Sequence, residues 1–189
     1  MSESQILTTS RLRLRAPRPA DAEAIFGRYA SDPATTRYLS FPRHTSLADT
    51  GAFLAFSQSA WAKWPAGPML IESRETGEIL GSTGLDFETP LRAATGFLLV
   101  PAARGHGFAS EALSAVAAFA EGVGVRRLYA ICHTGNARSA RVLERCGFRR
   151  EGILGKYAVF PNLGDAEPQD VYCYARISHP GRGRGHPSP

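Results

Sequence analysis

The sequence predicts an α+β fold built on a mixed sheet. Three observations carry that prediction. First, the hydrophobic period changes along the chain, from two at Arg11–Arg15 to helical over 21–29 and 46–63, then back to strand-like from Pro68. Second, three strand-like runs between Met69 and Val100 are separated only by short turns, which is the pattern of an antiparallel meander. Third, a helical run, a strand, a second helical run and two further strands follow that meander.

Each element has a local reason. Arg11-Leu-Arg-Leu-Arg15 alternates strictly, as a half-buried strand does, and Pro17 and Pro19 end it. Asp21 lies near the start of an amphipathic helix carrying Ala24, Ile25 and Tyr29, which Ser31-Asp-Pro33 stops. Segment 33–45 has little periodicity and reads as a loop. Ser46 followed by Asp49 is a helix start, and the helix runs to about Lys63. Phe53, Phe56, Ala60 and Trp61 share one face of it, and core packing is the expected role of those aromatics. Met69–Ser73 is a strand, Glu75–Glu78 a turn, and Ile79–Phe87 a second strand. After the turn Thr89–Arg92, Ala94–Val100 is the third strand. The next helix puts Ala109, Ala112, Leu113, Val116, Ala117 and Ala120 on one face, and Gly122 and Gly124 end it. Leu128–Cys132 is a strand, and Asn136-Ala-Arg-Ser139 opens a short helix that Gly147-Phe148 closes. Strand pieces follow near Ile153-Leu154 and Tyr157–Phe160, and Val171–Ile177 is the last strand.

Composition narrows the function classes. A chain of 189 residues predicts one domain, placed at 9–178 between a flexible start at 1–8 and a tail at 179–189. The tail is Gly/Pro/Ser-rich and is expected to be disordered. Hydrophobic residues at 43% are ordinary for a globular protein, and no apolar run is long enough for a membrane span. Cys132, Cys146 and Cys173 have neither metal-ligand nor disulfide-framework spacing, so reduced thiols in a cytoplasmic protein and no metal are expected. The net charge is +5, and Arg182 and Arg184 in the tail supply part of it. Without a dense basic stripe, that charge does not argue for nucleic acid, and it suits an anionic cofactor equally well.

One stretch organises the rest: Pro101-Ala-Ala-Arg-Gly-His-Gly-Phe-Ala-Ser-Glu-Ala-Leu113. It reads as strand, glycine turn and helix start. Gly105 and Gly107 let the chain turn tightly and let a ligand approach the backbone. Free N–H groups at the positive end of a helix make a phosphate site. The spacing Arg104-x-x-Gly107-x-Ala109 is neither the dinucleotide fingerprint nor a P-loop. Many such turns bind nothing, so the turn gains meaning only from the rest of the chain.

Two glycine-containing signatures, each at a helix, therefore matter together. With Arg11–Arg15, Gly96-Phe97, Arg104–Ala109, Ser110-Glu-Ala112, Asn136–Ser139, Gly147-Phe148, Glu151-Gly152 and Asp170, the chain resembles the GNAT N-acetyltransferase superfamily over roughly 9–177. Within it, the chain looks most like the ribosomal-protein alanine/serine N-terminal acetyltransferases. The resemblance implies a mostly antiparallel sheet flanked by helices, with acetyl-CoA lying where two strands splay apart. It implies that the backbone of Arg104, Gly105, His106, Gly107, Phe108 and Ala109 holds the pyrophosphate. It implies that Leu98, Leu99 and Val100 pair with the pantetheine. By the same resemblance, Asn136 bonds the pantetheine arm and Ser139 meets the sulfur, although spacing alone favours a helix cap for Asn136 and a first-turn polar residue for Ser139.

The chemistry needs a neutral amine, a stabilised oxyanion and a proton for the leaving thiolate. Many relatives carry Glu where this chain has Ala94 and Tyr where it has Leu143, so two usual candidates for base and acid are absent. Ser139 is the remaining candidate acid. An α-amine titrates near ~8 and lysine near ~10.4, so a protein N-terminus needs less help from a base. Asp86, Glu88, His133 and Tyr157 are the other polar groups expected near the cleft, each with a structural role as its default. The competing readings are a small-molecule amine acetyltransferase and, last, a non-catalytic acyl-CoA-binding protein. The acceptor pocket is expected from segments 33–45 and 157–169, the assembly to be a monomer or homodimer, and no membrane partner is expected.

Overall fold

The computed structural model describes residues 6–164 and 166–178. The stretches 1–5 and 179–189, and with them the expected tail, lie outside the described residues. Within the stretch expected to be a flexible start, Leu7–Thr8 forms a strand, β1, paired antiparallel with β2 (Leu12–Arg15). A 3-10 turn at Pro19–Asp21 then leads into α1 (Ala22–Ile25), and the helix widens into a π segment over Phe26–Ala30. Ser31 explains the widening, since both its N–H and its hydroxyl donate to the Phe26 carbonyl, five residues back.

The segment read as a loop after Pro33 holds one helical turn, α2 (Pro33–Thr36). Asp32 caps it through the N–H groups of Ala34 and Thr35. The helix α3 (Leu47–Lys63) starts as its sequence predicts, with Ser46 and Asp49 forming a reciprocal capping box. Its aromatic face meets the expectation in part. Thr50 and Ser57 are its fully buried side chains, and Phe53 and Trp61 pack partly buried against the core, whereas Phe56 is 55% exposed.

Eight strands form one sheet in the order β1-β2-β3-β4-β5-β6-β8-β7. The remaining strands are β3 (Pro68–Ser73), β4 (Ile79–Thr89), β5 (Arg92–Leu99), β6 (Arg127–His133), β7 (Arg149–Ala158) and β8 (Gln169–Ile177). The two strand pieces expected after Gly147 are one irregular strand, β7, with Lys156 at φ 45°. Every neighbouring pair is antiparallel except β5 and β6.

That exception positions the site. β5 and β6 pair only through Arg92–Arg127, Ala93–Leu128 and Ala94–Tyr129. Beyond Ala94 they separate, while β5 stays paired with β4 and β6 with β8. The sheet therefore opens like a V between its two halves. The helix α4 (Phe108–Gly122) buries Ala112, Leu113, Val116, Ala117 and Ala120 against this sheet, the stripe that helical spacing predicts. The amphipathic α5 (Ala137–Arg145) buries Ala140 and Leu143 beside it. Leu143 is thus a core residue at a position where a tyrosine would have offered a hydroxyl.

Candidate functional site

The mouth of the V meets the N-terminus of α4. Gly105 and Gly107 sit at φ 84° and 81°, left-handed values that side chains with a Cβ avoid. Among the described residues, no backbone N–H from Gly105 through Ser110 has an acceptor. These donors line one turn and meet the positive end of the α4 dipole, an arrangement chemically suited to an anion such as a diphosphate. The Arg104 guanidinium has a different task. It donates to the Leu99 carbonyl at 3.1 Å and to Thr35 Oγ1 at 3.0 Å, so it fastens the turn to the end of β5 and to α2.

A second clamp was not foreseen from the sequence. Glu111, in the first turn of α4, accepts from Thr9 Oγ1 at 2.6 Å, Ser10 Oγ at 3.0 Å and the Arg11 N–H at 2.9 Å. Arg11 also forms an ion pair with Glu111 at 2.7 Å, stacks over the Phe108 ring and donates to the His106 carbonyl. Burial raises the Glu111 pKa, but the bonds from Thr9, Ser10 and Arg11 outweigh it and hold the carboxyl down at about 2. Arg11 thereby neutralises the one carboxylate in the first turn of α4, which would otherwise repel a phosphate.

On the other arm of the V, Asn136 caps α5 by accepting the Ser139 N–H at 3.2 Å. Capping through Oδ1 leaves the amide NH2 as the half able to donate to a ligand. Cys132 is buried at the end of β6 and its thiol points to the Asn136 carbonyl at 3.5 Å. Burial pushes that thiol's pKa up, and a hydrogen bond with the Ser139 side chain opposes the shift. Ser139 and Asn136 are therefore brought together at the start of α5, which follows the β6 arm, across from the β5 arm that ends in Leu98, Leu99 and Val100.

Next to the V lies an open cleft of about 820 Å³. Its walls are the loop 39–45 and the α3 residues Ala52, Phe53 and Phe56, and its floor is β4 and β5. Part of the floor is low because Ser82, Gly84, Ala94 and Gly96 are small. Ser82, Gly84 and Asp86 stand opposite Leu98, Gly96 and Ala94, and cross-strand partners share a face. A Cβ placed on Gly96 would meet nothing within 4 Å.

Of the expected polar groups, Asp86 lines this cleft, and three do not. Glu88 bonds the Tyr129 hydroxyl and pairs with Arg92, at the closed end of the V, and the Tyr129 bond holds its carboxyl low. His133 accepts the Gly135 N–H on Nδ1 at 2.9 Å and contacts Gln169 through Nε2. Its ring packs between Tyr38 and Phe160. Tyr157 is 55% exposed on β7, away from the cleft lining.

One residue of the cleft and one beside it escaped sequence reasoning, and the cleft draws on the expected loop 33–45 but on no residue of 157–169. His44 lines the cleft with Nδ1 against Thr50 Oγ1 at 2.9 Å, and burial lowers its pKa below the usual 6.5. Asn162 straps the two expected acceptor loops together, accepting the Arg43 N–H at 2.8 Å and donating to the Thr36 and Phe41 carbonyls, each at 2.9 Å. No local pattern marks either one. Among the described residues, no helix is long and apolar enough to cross a membrane.

Comparison with known proteins agrees with this geometry. The model of the acetyltransferase (GNAT) domain matches residues 11–149. The uncharacterized N-acetyltransferase YoaA of Bacillus subtilis (strain 168) is 34% identical over 180 residues, covering 91% of this chain and 96% of that protein. RimL, a ribosomal L7/L12 alpha-N-protein acetyltransferase solved in complex with coenzyme A, superposes with a TM-score of 0.81 at 24% identity, over 92% of this chain and 98% of that one. The microcin C7 self immunity acetyltransferase MccE, solved with acetyl-CoA and AMP, gives a TM-score of 0.79 at 18% identity, over 90% and 94% of the two chains. The chain belongs to the GNAT acetyltransferase family and has its fold.

Proposed function

We propose that this acetyltransferase moves an acetyl group from acetyl-CoA to the α-amine of a protein N-terminus. The observation that carries the reading is the junction of two sites at one opening. The unpaired N–H groups of 105–110 suit a diphosphate, and the small-residue cleft over β4 and β5 is open to an acceptor. Beyond Ala94 the β5 edge that faces β6 is unpaired, and the stretch Leu98 to Val100 along it offers backbone to the pantetheine amides, although the Val100 N–H is committed to the Leu80 carbonyl and the Leu99 carbonyl already accepts from Arg104.

The amine then meets the thioester in the V. It attacks as the neutral base, its proton passing to water, because an α-amine near ~8 is already partly neutral at cellular pH. The nitrogen–carbon bond forms at the thioester carbonyl, the carbon–sulfur bond breaks, and the electron pair leaves on sulfur. Ser139 passes its hydroxyl proton to that thiolate and is reprotonated by the proton the nitrogen loses as the intermediate collapses to the amide, and Asn136 holds the pantetheine arm through its NH2. The Cys132 thiol, kept protonated by burial, carries no charge into this region.

A small free amine is the second reading. It is favoured by the volume of the cleft, about 820 Å³, which lies within the usual range for small-molecule sites. Initial rates of free-thiol release with acetyl-CoA separate the two. Peptides with a free α-amine are expected to be turned over, and the same peptides with a blocked N-terminus and a free lysine are not. Turnover confined to small amines would replace the first reading with the second.

A further inference from the structure

Within the cleft, the charges are unequally satisfied. Asp49 lines it, but its Oδ2 already accepts the Thr45 N–H, the Thr45 hydroxyl and the Ser46 N–H in capping α3. His44 is committed on Nδ1 to Thr50. Asp86 has no hydrogen bond or ion pair among the described residues. It stands directly across from Ala94, whose methyl group leaves its carboxylate unobstructed. Directly opposed side chains lie about 5 Å apart at Cβ. Ala94 is also the last residue of β5 that pairs with β6, so Asp86 stands where the V begins to open.

The hydroxyls of the floor are committed to backbone carbonyls, Ser82 to Met69, Thr83 to Gly96 and Thr95 to Gly84, and much of the remaining lining is apolar or aromatic. Phe41 and Phe56 remain 48% and 55% exposed at its edges, and Phe53 and Phe97 lie further in. Gly96 leaves a hollow in the floor. A lone carboxylate beside an apolar hollow is complementary to an ammonium carried on an apolar skeleton. Arg43 is the cationic side chain of the lining, and it belongs to the loop wall rather than the floor that carries Asp86.

We infer that Asp86 binds the acceptor's ammonium and that the hollow over Gly96 selects acceptors with an apolar group close to the amine. The inference rests on the reading of this cleft as the acceptor side of an acetyltransferase, and it adds a specificity-determining residue and a substrate class. Asp86 recruits the amine in its charged form, and the proton leaves to water before attack. No proton needs to be stored on the enzyme.

The test uses matched acceptors at saturating acetyl-CoA. Peptides beginning Ala-Phe are compared with peptides beginning Ser-Gln, and phenethylamine with ethanolamine. The apolar member of whichever pair is turned over should be favoured in kcat/KM by at least ~10-fold, since a buried aromatic ring contributes that much. Asp86→Asn should raise the KM for the apolar acceptor by at least ~10-fold, as loss of a charged hydrogen bond does, and leave kcat and CoA affinity nearly unchanged. Gly96→Val, which fills the hollow, should abolish the apolar preference. An unchanged KM in a folded Asp86→Asn protein, no apolar preference, or no turnover of either apolar acceptor overturns the inference. Peptide turnover without apolar preference would defeat it while leaving N-terminal acetylation standing. Apolar preference confined to the small amines would do the reverse.

Discussion

Replacing Gly107 by valine tests the diphosphate cradle at its hinge. Gly107 caps α4 at φ 81° and ψ −1°, and an added Cβ would lie 3.5 Å from the Arg11 guanidinium, so no clash arises. The cost is strain, about 1–2 kcal/mol for an L-residue in the left-handed region. A domain stable by about 5–15 kcal/mol survives that loss, with a fall in Tm of roughly 2–8 °C for this chain length. Relief of the strain would rotate the N–H groups of 105–110 away from a common centre, and the isopropyl group would stand where the anion approaches. CoA affinity by calorimetry should fall at least ~10-fold, about 1.4 kcal/mol. Gly124→Val is the control: at φ 96° beyond the other end of α4, it imposes similar strain with nothing within 4 Å of the new Cβ. It should lose stability and keep CoA affinity. A folded Gly107→Val protein that binds CoA like the wild type, or equal losses in both variants, would refute the placement.

The other expectations concern Ser139 and Glu111. Ser139→Ala should lower kcat by roughly 10²-fold, the low end for an acid–base group, and scarcely change CoA binding; a wild-type rate on a good acceptor would remove Ser139 from the chemistry. Glu111→Ala removes the acceptor of Thr9, Ser10 and Arg11 and should cost about 2–3 kcal/mol, visible as a Tm several degrees lower. Because the folded pKa of Glu111 is depressed from 4.5 to about 2, its contribution is complete above pH 4.5 and is lost as the pH falls towards 2. Denaturant midpoints across that window should therefore drop less steeply for Glu111→Gln than for the wild type; parallel slopes would contradict the clamp.

The sequence showed best what local chemistry decides. The capping box at Ser46 and Asp49, the stripe from Ala112 to Ala120 and the glycine turn each depend on neighbours a few residues away. What it hid depends on distant partners. The Glu111 clamp joins residues about one hundred positions apart, and Asn162 reaches back to Thr36. Core packing of the α3 aromatics holds for Phe53 and Trp61 and fails for Phe56, because Thr50 and Ser57 take the most buried side of the helix and Phe56 faces the cleft. Arg104 is read in the sequence for its backbone alone, and its side-chain bonds to Leu99 and Thr35 have no local signal. Asp86 was only one of four candidates until the register of β4 against β5 set it across from Ala94. Spacing along a chain cannot supply that register.

A backbone amide NMR titration with CoA tests the division of the opening into two sites most directly. The largest shifts are expected at Gly105, Gly107 and Phe108 to Ser110, with a second group at Leu98 to Val100 and at Asn136 and Ser139. The loop 39–45 and Ala52 to Phe56 should respond only when an acceptor amine is added afterwards. Shifts that begin in that loop and leave the glycine turn unmoved would place the cofactor in the apolar cleft and contradict the assignment.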